Sequence, residues 1–228
     1  MKNRLKTDQL GHRKRIKEKY RKNGLSGWLE YEILEFILTY AIPRRDTKTL
    51  AKKMLAECNT LSGVLDADES KLMGIDGVSE HTVLFLKLIK DCAIQYSRQG
   101  LSQKDLIQSP DVVHEYLQTS LKGSKEEVFV VLFLNLRNQL LAEETIQTGT
   151  VNRVAVYPRK IVERALHHNA SAVIIAHNHP SGSLYPSEKD RIVTRAIRQA
   201  LKTVEVTLLD HILIGGNRYF SFKENGID

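Results

Sequence analysis

Apolar and polar residues follow a helical spacing through the first half of the chain. In segment 28–40 the apolar positions fall three and four residues apart, which puts them on one face of a helix. Pro43 follows and ends that helix, because its ring cannot continue the helical hydrogen bonding. The same spacing predicts helices at 50–58, 62–72 and 80–97, and no strand before residue 125.

The second half has a different pattern, in which short apolar runs alternate with helical segments. Residues 128–136 (VFVVLFLNL) are β-branched and aromatic and too short for a surface helix, so they predict a buried strand. Strands mixed with helices predict an α/β or α+β sandwich. The other elements are strands at 140–148, 172–176, 204–209, 211–214 and 218–222, a helix at 158–168, and a helix at 187–201 with Ile192, Val193, Ala196, Ile197 and Ala200 facing inward.

A polar segment without a regular period, 99–108, lies between the two patterns. Ser109 and Pro110 then begin a helix, with serine as the N-cap and proline in the first turn, where its missing N–H is not needed. The sequence therefore predicts a helical domain at 1–98, a linker at 99–108 and an α/β domain at 109–228.

Basic residues are concentrated at the N-terminus. Residues 1–22 hold ten Lys and Arg against two acidic residues, an excess of eight, whereas the whole chain has a net charge of +7. Such a basic arm favours a polyanionic partner, because each Lys or Arg that meets a phosphate releases counterions. We therefore predict that Arg13, Lys14 and Arg15 contact DNA without sequence specificity. The alternative is a solubilising arm.

Membrane and secretory segments are not apparent in the sequence. No apolar run reaches the roughly 18 residues that a membrane span needs. The N-terminus is charged and lacks the apolar stretch of a secretory signal. We therefore expect a cytoplasmic protein with no membrane partner.

The segment 74–79 (GIDGVS) precedes a long predicted helix and resembles the hairpin of a helix-hairpin-helix module. In such modules, backbone N–H groups at a helix N-terminus bind a DNA phosphate. Gly74 and Gly77 are expected to supply positive φ angles and close approach, and Val78 and Ser79 complete the predicted DNA contact. The alternative is an ordinary tight turn between packed helices.

Two histidines and a carboxylate form a candidate metal site in the second half. His177 and His179 directly follow a predicted strand, where residues two apart point to the same side, so both imidazoles face one point. Asp190 lies in the first turn of the next helix, within reach of the same metal. Two imidazoles and a carboxylate suit zinc and leave a fourth position for water. The alternative is that Asp190 only caps the helix, since Ser187-x-x-Asp190 is a capping-box pattern.

These residues match a known family pattern. The spacing HxHx(7)SxxD, met by His177, His179, Ser187 and Asp190, resembles the signature of the JAMM (MPN+) metalloproteases. The resemblance covers residues 109–228 and, more loosely, the helical first half. The longer text AHNHPSG, with Thr150, Asn152, Pro158 and Arg159 before it and segment 208–215 after it, is similar to the RadC (UPF0758-like) branch of that superfamily.

The resemblance implies a fold and a set of residue roles. The C-terminal domain would be α/β, with the cytidine-deaminase-like JAMM/MPN mixed β-sheet flanked by helices, preceded by an all-α, helix-hairpin-helix-like domain. Glu127, just before the first strand, would act as general acid/base, with Glu126 as the adjacent alternative. Ser187 would stabilise the oxyanion. His211 is expected to support the metal ligands or the fold.

Three functions are compatible with these residues. The first is zinc-dependent hydrolysis of a peptide or isopeptide, linked to DNA-associated processes. The second is a DNA-binding or repair-accessory protein whose metal site is structural or vestigial, and the third is a metal-dependent nuclease. A single His/His/Asp site with Glu127 favours amide hydrolysis, because nucleases often assemble two metals from more carboxylates.

Overall fold

The computed structural model describes residues 2–43, 45–101, 105–106, 108, 110–149 and 156–227, with side chains described from Gly11 onward. The chain divides into two compact units, Met1–Asp91 and Cys92–Asp228. This division lies inside a long helix, so the domain limits at 98 and 109 stay a prediction. Ser109, the expected N-cap, lies outside the described residues.

The first unit is helical, as the sequence predicts. The basic N-terminal segment is a helix and not an extended arm. Segment 62–72 forms two short helices, because Ala67 and Asp68 are extended between them. The helices are α1 (Lys2–Asn23), α2 (Glu30–Ala41), α3 (Lys48–Cys58), α4 (Leu61–Asp66), α5 (Glu69–Met73) and α6 (Glu80–Leu101).

Two apolar clusters hold the first unit together. The larger cluster is centred on Leu34, Leu38, Met54, Leu72 and Leu86, which are fully buried. The smaller one joins α1 to α2 through Ile16, Trp28 and Phe36. Each helix of this unit is therefore held in place by burial of one apolar face, as the spacing of its apolar residues predicts.

The second unit contains a mixed sheet. Within the described residues, five strands pair in the order β2-β1-β3-β4-β5, with β3 and β4 parallel and the other pairs antiparallel. The strands predicted at 204–209 and 211–214 are one continuous strand with a register shift opposite Val173 and Ile174. The elements are α7 (Pro110–Leu121), β1 (Val128–Leu134), β2 (Leu140–Thr148), α8 (Pro158–His167), β3 (Ala172–Asn178), α9 (Glu188–Lys202), β4 (Thr207–Gly215) and β5 (Arg218–Ser221).

Helices cover both faces of this sheet. The even-numbered residues of β1 and β3 form one cluster with α7, and the odd-numbered residues form another with α8 and α9. Every residue of β3 is buried, which explains the apolar run at 172–176. By strand alternation, His177 at the end of β3 lies on the α9 side of the sheet. The predicted mixed sheet flanked by helices is confirmed.

The inner face of α9 differs from the predicted one. The buried residues are Asp190, Thr194, Ile197 and Leu201, at helical spacing. Ile192, which we expected to face inward, is 54% exposed. Two polar residues thus occupy the inner face near the start of α9, and both lie near the candidate metal site.

A charged cluster links β2 to α8. Arg164 donates two hydrogen bonds from Nε to the Glu144 carboxylate, at 2.9 and 2.7 Å, and His168 Nε2 lies 2.6 Å from Glu144 Oε1. The Arg164 guanidinium, helped by His168, lowers the pKa of Glu144 to about 2. Ionised Glu144 therefore stabilises the folded state above its ordinary pKa, and this stabilisation is lost as pH falls toward 2.

We expect Glu144→Gln to lower the free energy of unfolding by about 1 kcal/mol at pH 7, because solvent screens this half-buried pair. The difference from wild type should shrink as pH falls from 4.5 toward 2. Urea denaturation at pH 7, 4 and 3 measures it. Glu163→Gln, at an exposed position of α8, is the control and should change little. A Glu144→Gln difference that does not vary with pH would contradict the assignment.

A membrane-spanning helix is not found among the described residues. None of their helices is both long enough and apolar enough to cross a bilayer.

Candidate metal centre

The side chains of three potential metal ligands converge where β3 ends and α9 begins. His177 Nε2 lies 3.0 Å from His179 Nε2 and 3.3 Å from Asp190 Oδ1, and His179 Nε2 lies 3.7 Å from Asp190 Oδ2. These residues are the one His/Cys/Asp/Glu group in the described part of the chain that is arranged to hold a metal ion. The structure therefore brings together all three ligands that the sequence predicts.

The spacing of these atoms fits a tetrahedral cation. Bonds of about 2.0–2.1 Å to zinc place neighbouring ligand atoms about 3.3 Å apart. The two Nε2 atoms are 3.0 Å apart, and each lies 3.3 or 3.7 Å from a different oxygen of the Asp190 carboxylate, which is close to that value. The His177 and Asp190 side chains are only 3% and 6% exposed, whereas His179 is 12% exposed. The three residues can thus hold one metal ion.

The loop after β3 holds His179 in place. The His179 backbone N–H donates to the Ile214 carbonyl at 2.8 Å, and its Nδ1 lies 2.9 Å from the Ser183 carbonyl oxygen. Because a carbonyl only accepts, Nδ1 carries the proton and Nε2 presents its lone pair to the metal site. Gly215 permits this arrangement, since a Cβ there would lie 2.7 Å from the Gly182 carbonyl oxygen.

Asp190 is both a helix cap and a candidate ligand. Its backbone N–H donates to Ser187 Oγ at 3.2 Å, and its Oδ2 accepts from the Ser187 N–H at 2.7 Å, which completes a capping box. Its Oδ1 faces His177. Burial by itself raises the pKa of Asp190, but contacts with His177 and Ser187 outweigh it and hold the pKa below its ordinary value. The cap therefore coexists with the ligand position.

The Ser187 hydroxyl proton is already used in a hydrogen bond. Ser187 Oγ donates to Asp190 Oδ2 at 2.6 Å. To stabilise an oxyanion, this hydroxyl has to turn away from Asp190. Its predicted catalytic role stays a prediction, while its capping contact with Asp190 is present in the structure.

A buried polar chain lies behind His177. His177 Nδ1 lies 2.8 Å from His211 Nε2, and His211 Nδ1 lies 2.6 Å from Thr194 Oγ1. Burial lowers the pKa of His211 well below its ordinary value, and the nearby His177 lowers it further. His211 is therefore a buried imidazole in direct contact with a candidate ligand. Thr194 was not among the residues predicted from the sequence, because its bond to His211 joins segments 17 residues apart.

The register of β1 and β3 distinguishes Glu127 from Glu126. Phe129 pairs with His177, and their rings stack with centroids 6.0 Å apart, so they share one face of the sheet. If this register continues for two more residues, Glu127 lies opposite His179 on the same face of the sheet. Strand alternation then places Glu126 on the opposite face. Glu126 is exposed and Glu127 is half-buried. The register therefore favours Glu127 as the acid/base residue.

The Asn178 side chain, at the end of β3, holds the backbone around Glu127. Its Oδ1 accepts from the Val128 N–H at 2.7 Å, and its Nδ2 donates to the Glu126 carbonyl at 3.0 Å. The residue between the two histidines thus holds the backbone on both sides of Glu127. From the sequence alone, strand alternation indicates only that Asn178 faces away from the two histidines.

We expect Asn178→Ala to lower the free energy of unfolding by about 2 kcal/mol, because it leaves a backbone donor and a backbone acceptor unpaired. Chemical denaturation measures the change. Asn217→Ala, at an exposed turn position, is the control and should have little effect. Equal stabilities of the two variants would show that the Asn178 contacts contribute nothing.

The predicted DNA-contacting residues belong to the first unit, and the candidate metal ligands belong to the second. Arg13 donates to the carbonyls of Thr39, Ile42 and Arg45 at 3.2, 2.6 and 2.6 Å, so it caps the end of α2. Lys14 and Arg15 are exposed on α1.

The 74–79 turn joins α5 to α6. Gly77 has a φ of +96°, but Gly74 has a φ of −70°, so the expected positive φ at Gly74 is wrong. The Val78 N–H donates to the Ile75 carbonyl at 3.0 Å. Ser79 Oγ accepts from the Thr82 N–H at 3.4 Å.

Comparisons with known proteins agree with the fold. The second unit has a JAMM-type metal-dependent hydrolase fold, and a family model described as "RadC-like JAB domain" matches residues 107–227. The UPF0758 protein FN0909 of Fusobacterium nucleatum subsp. nucleatum is 39% identical over 227 residues, which covers 96% of this chain and 98% of that relative. The chain belongs to the RadC (UPF0758) family, as the resemblance implied. Thr150 and Asn152, two residues of that resemblance, lie outside the described residues.

Proposed function

We propose that this protein is a zinc-dependent hydrolase of the JAMM metallopeptidase type, which cleaves amide or isopeptide bonds. The observation that carries the proposal is the convergence of His177, His179 and Asp190. Continuing the β1–β3 register assigns Glu127 to the same face of the sheet. Two imidazoles and one carboxylate leave a fourth position open, which is typical of catalytic rather than structural zinc sites. An open site favours catalysis over a structural or vestigial metal.

Each side chain has a defined task in this proposal. His177, His179 and Asp190 hold the ion, and zinc bound there supplies Lewis acidity, which lowers the pKa of water and polarises a carbonyl. Glu127 takes a proton from water and delivers it to the leaving amine. Asn178 holds the backbone of Glu127 in position through its contacts with Val128 and Glu126.

A screen of the zinc-loaded full-length protein on peptide, isopeptide and DNA substrates tests this function. We expect cleavage of a peptide or isopeptide and no cleavage of DNA, with Glu127→Gln as the inactive control. Cleavage of DNA that depends on Glu127 would favour the metal-dependent nuclease instead. If zinc binds but no substrate is cleaved, the structural role of the metal becomes the better account.

We also propose that the helical unit contacts DNA through exposed cations of α1. Lys14 and Arg15 are exposed, whereas Arg13 is committed to the carbonyls that end α2. In the full-length protein, Lys14→Ala/Arg15→Ala should weaken DNA binding for all sequences and reduce its salt dependence. Fluorescence anisotropy at several salt concentrations measures this. Unchanged affinity in the double variant would contradict a contact at this surface.

A further inference from the structure

A continuous hydrogen-bonded chain runs behind the metal site. It passes from His177 Nδ1 to His211 Nε2 at 2.8 Å, from His211 Nδ1 to Thr194 Oγ1 at 2.6 Å, and from Thr194 Oγ1 to the Asp190 carbonyl oxygen at 2.5 Å. His211 and Thr194 are 0% and 1% exposed. The chain begins at one candidate ligand and ends on the backbone of another.

The protons of this chain have one consistent direction. The Asp190 carbonyl can only accept, so the single Thr194 proton is donated to it, and Thr194 Oγ1 must accept from the His211 Nδ1–H. A neutral His211 with its proton on Nδ1 has a lone pair on Nε2, which accepts from the His177 Nδ1–H. His177 is left with a lone pair on Nε2, the atom that faces His179 and Asp190.

We propose that Thr194 and His211 are positioning residues that fix the tautomer and orientation of His177 for metal binding. This inference rests on the metal site of the proposed function. His179 receives the same tautomer from one backbone carbonyl, that of Ser183. His177 has no such carbonyl contact among its described hydrogen bonds. The side chains of His211 and Thr194 fix its tautomer instead.

Two aromatic rings pack against the His211 imidazole and restrict its rotation. Phe222 stacks on its ring with centroids 4.6 Å apart, and Phe129 lies 5.9 Å away on a tilted plane. The ring is thus held with one nitrogen toward His177 and the other toward Thr194. Because Thr194 also bonds to the Asp190 carbonyl, the chain links the placement of His177 to the start of α9.

The pair Thr194→Val and Thr194→Ser separates positioning from packing. Valine keeps the shape of threonine but removes the hydroxyl, so His211 no longer has a defined acceptor for Nδ1–H. Serine keeps the hydroxyl. We expect Thr194→Val to bind zinc about 10- to 100-fold more weakly, as found for outer partners of metal-bound histidines, and Thr194→Ser to bind close to wild type.

Zinc affinity of the full-length protein is measured by competition with a chelator, and ¹⁵N chemical shifts of the imidazoles report the tautomers. Wild type and Thr194→Ser should show His177 protonated on Nδ1, and folded Thr194→Val should show a mixture without zinc. Should Thr194→Val fail to fold, His211→Gln and His211→Leu replace it. The glutamine oxygen can still accept from His177, so His211→Gln should bind zinc more tightly than His211→Leu.

Equal zinc affinity and unchanged tautomers in Thr194→Val would overturn the positioning role while leaving the metal site intact. Equal affinities of His211→Gln and His211→Leu would overturn it likewise. Failure of the wild-type protein to bind zinc would contradict the proposed metal site, and this inference with it.

Discussion

Glu127→Gln is expected to lower peptide or isopeptide hydrolysis by about 10²- to 10⁴-fold, the usual contribution of a general acid/base, with zinc content unchanged. Glutamine has nearly the same shape as glutamate but cannot take up a proton from water. The three candidate ligands at the end of β3 and the start of α9 do not include Glu127. Activity and zinc stoichiometry of the same preparation, measured together, check both parts of this expectation.

Glu126→Gln is the matched control for Glu127→Gln. Glu126 is adjacent and exposed, and strand alternation turns it away from the face that carries His177 and His179. We expect Glu126→Gln to retain activity close to wild type. Loss of activity in Glu126→Gln with retention in Glu127→Gln would reverse the assignment and show that the β1 register does not continue to residue 127.

Asp190→Asn is expected to weaken zinc binding by more than about 100-fold, since even partners of ligands contribute about 10- to 100-fold. The asparagine oxygen can still accept from the Ser187 N–H, so the helix cap is largely kept while the negative charge is lost. Because the contacts that lower the pKa of Asp190 are lost with its charge, the metal-free protein should lose about 1 to 2 kcal/mol of stability. Chelator competition gives the zinc affinity and urea denaturation gives the stability.

Ser187→Ala separates the two roles of the Ser187–Asp190 pair. It removes the hydroxyl that caps α9 but leaves the Asp190 carboxylate, so it should cost about 1 kcal/mol of stability while zinc still binds. If Asp190→Asn bound zinc as tightly as wild type, Asp190 would be only a cap. The structure shows the capping box and the ligand spacing together. The two variants therefore test whether Asp190 binds the metal in addition to capping α9.

The metal residues could be predicted from the sequence because their geometry is local. His177 and His179 share a strand face by alternation, and the turn through Pro180 and Gly182 returns the chain to Asp190. The long apolar strands were predictable for a similar reason, since β1 and β3 are buried along almost their whole length. Local periodicity therefore identified the sheet centre and the candidate ligands.

The supporting residues could not be predicted, because they depend on contacts between distant segments. Asn178 contacts the backbone on both sides of Glu127 across a strand pair, and the register of that pair is not visible in the sequence. Thr194 bonds to His211, which lies on β4. The prediction for the inward face of α9 was wrong at Ile192. This apolar residue is exposed, and the polar residue Thr194 is buried instead.

Zinc stoichiometry of the purified full-length protein tests the central claim most directly. The metal-free protein is loaded with zinc, freed of excess ion, and compared with the His177→Ala/His179→Ala variant by elemental analysis. We expect one zinc ion per wild-type chain and none retained by the folded double variant. Full zinc occupancy in the double variant would contradict the assignment of the metal site to His177, His179 and Asp190.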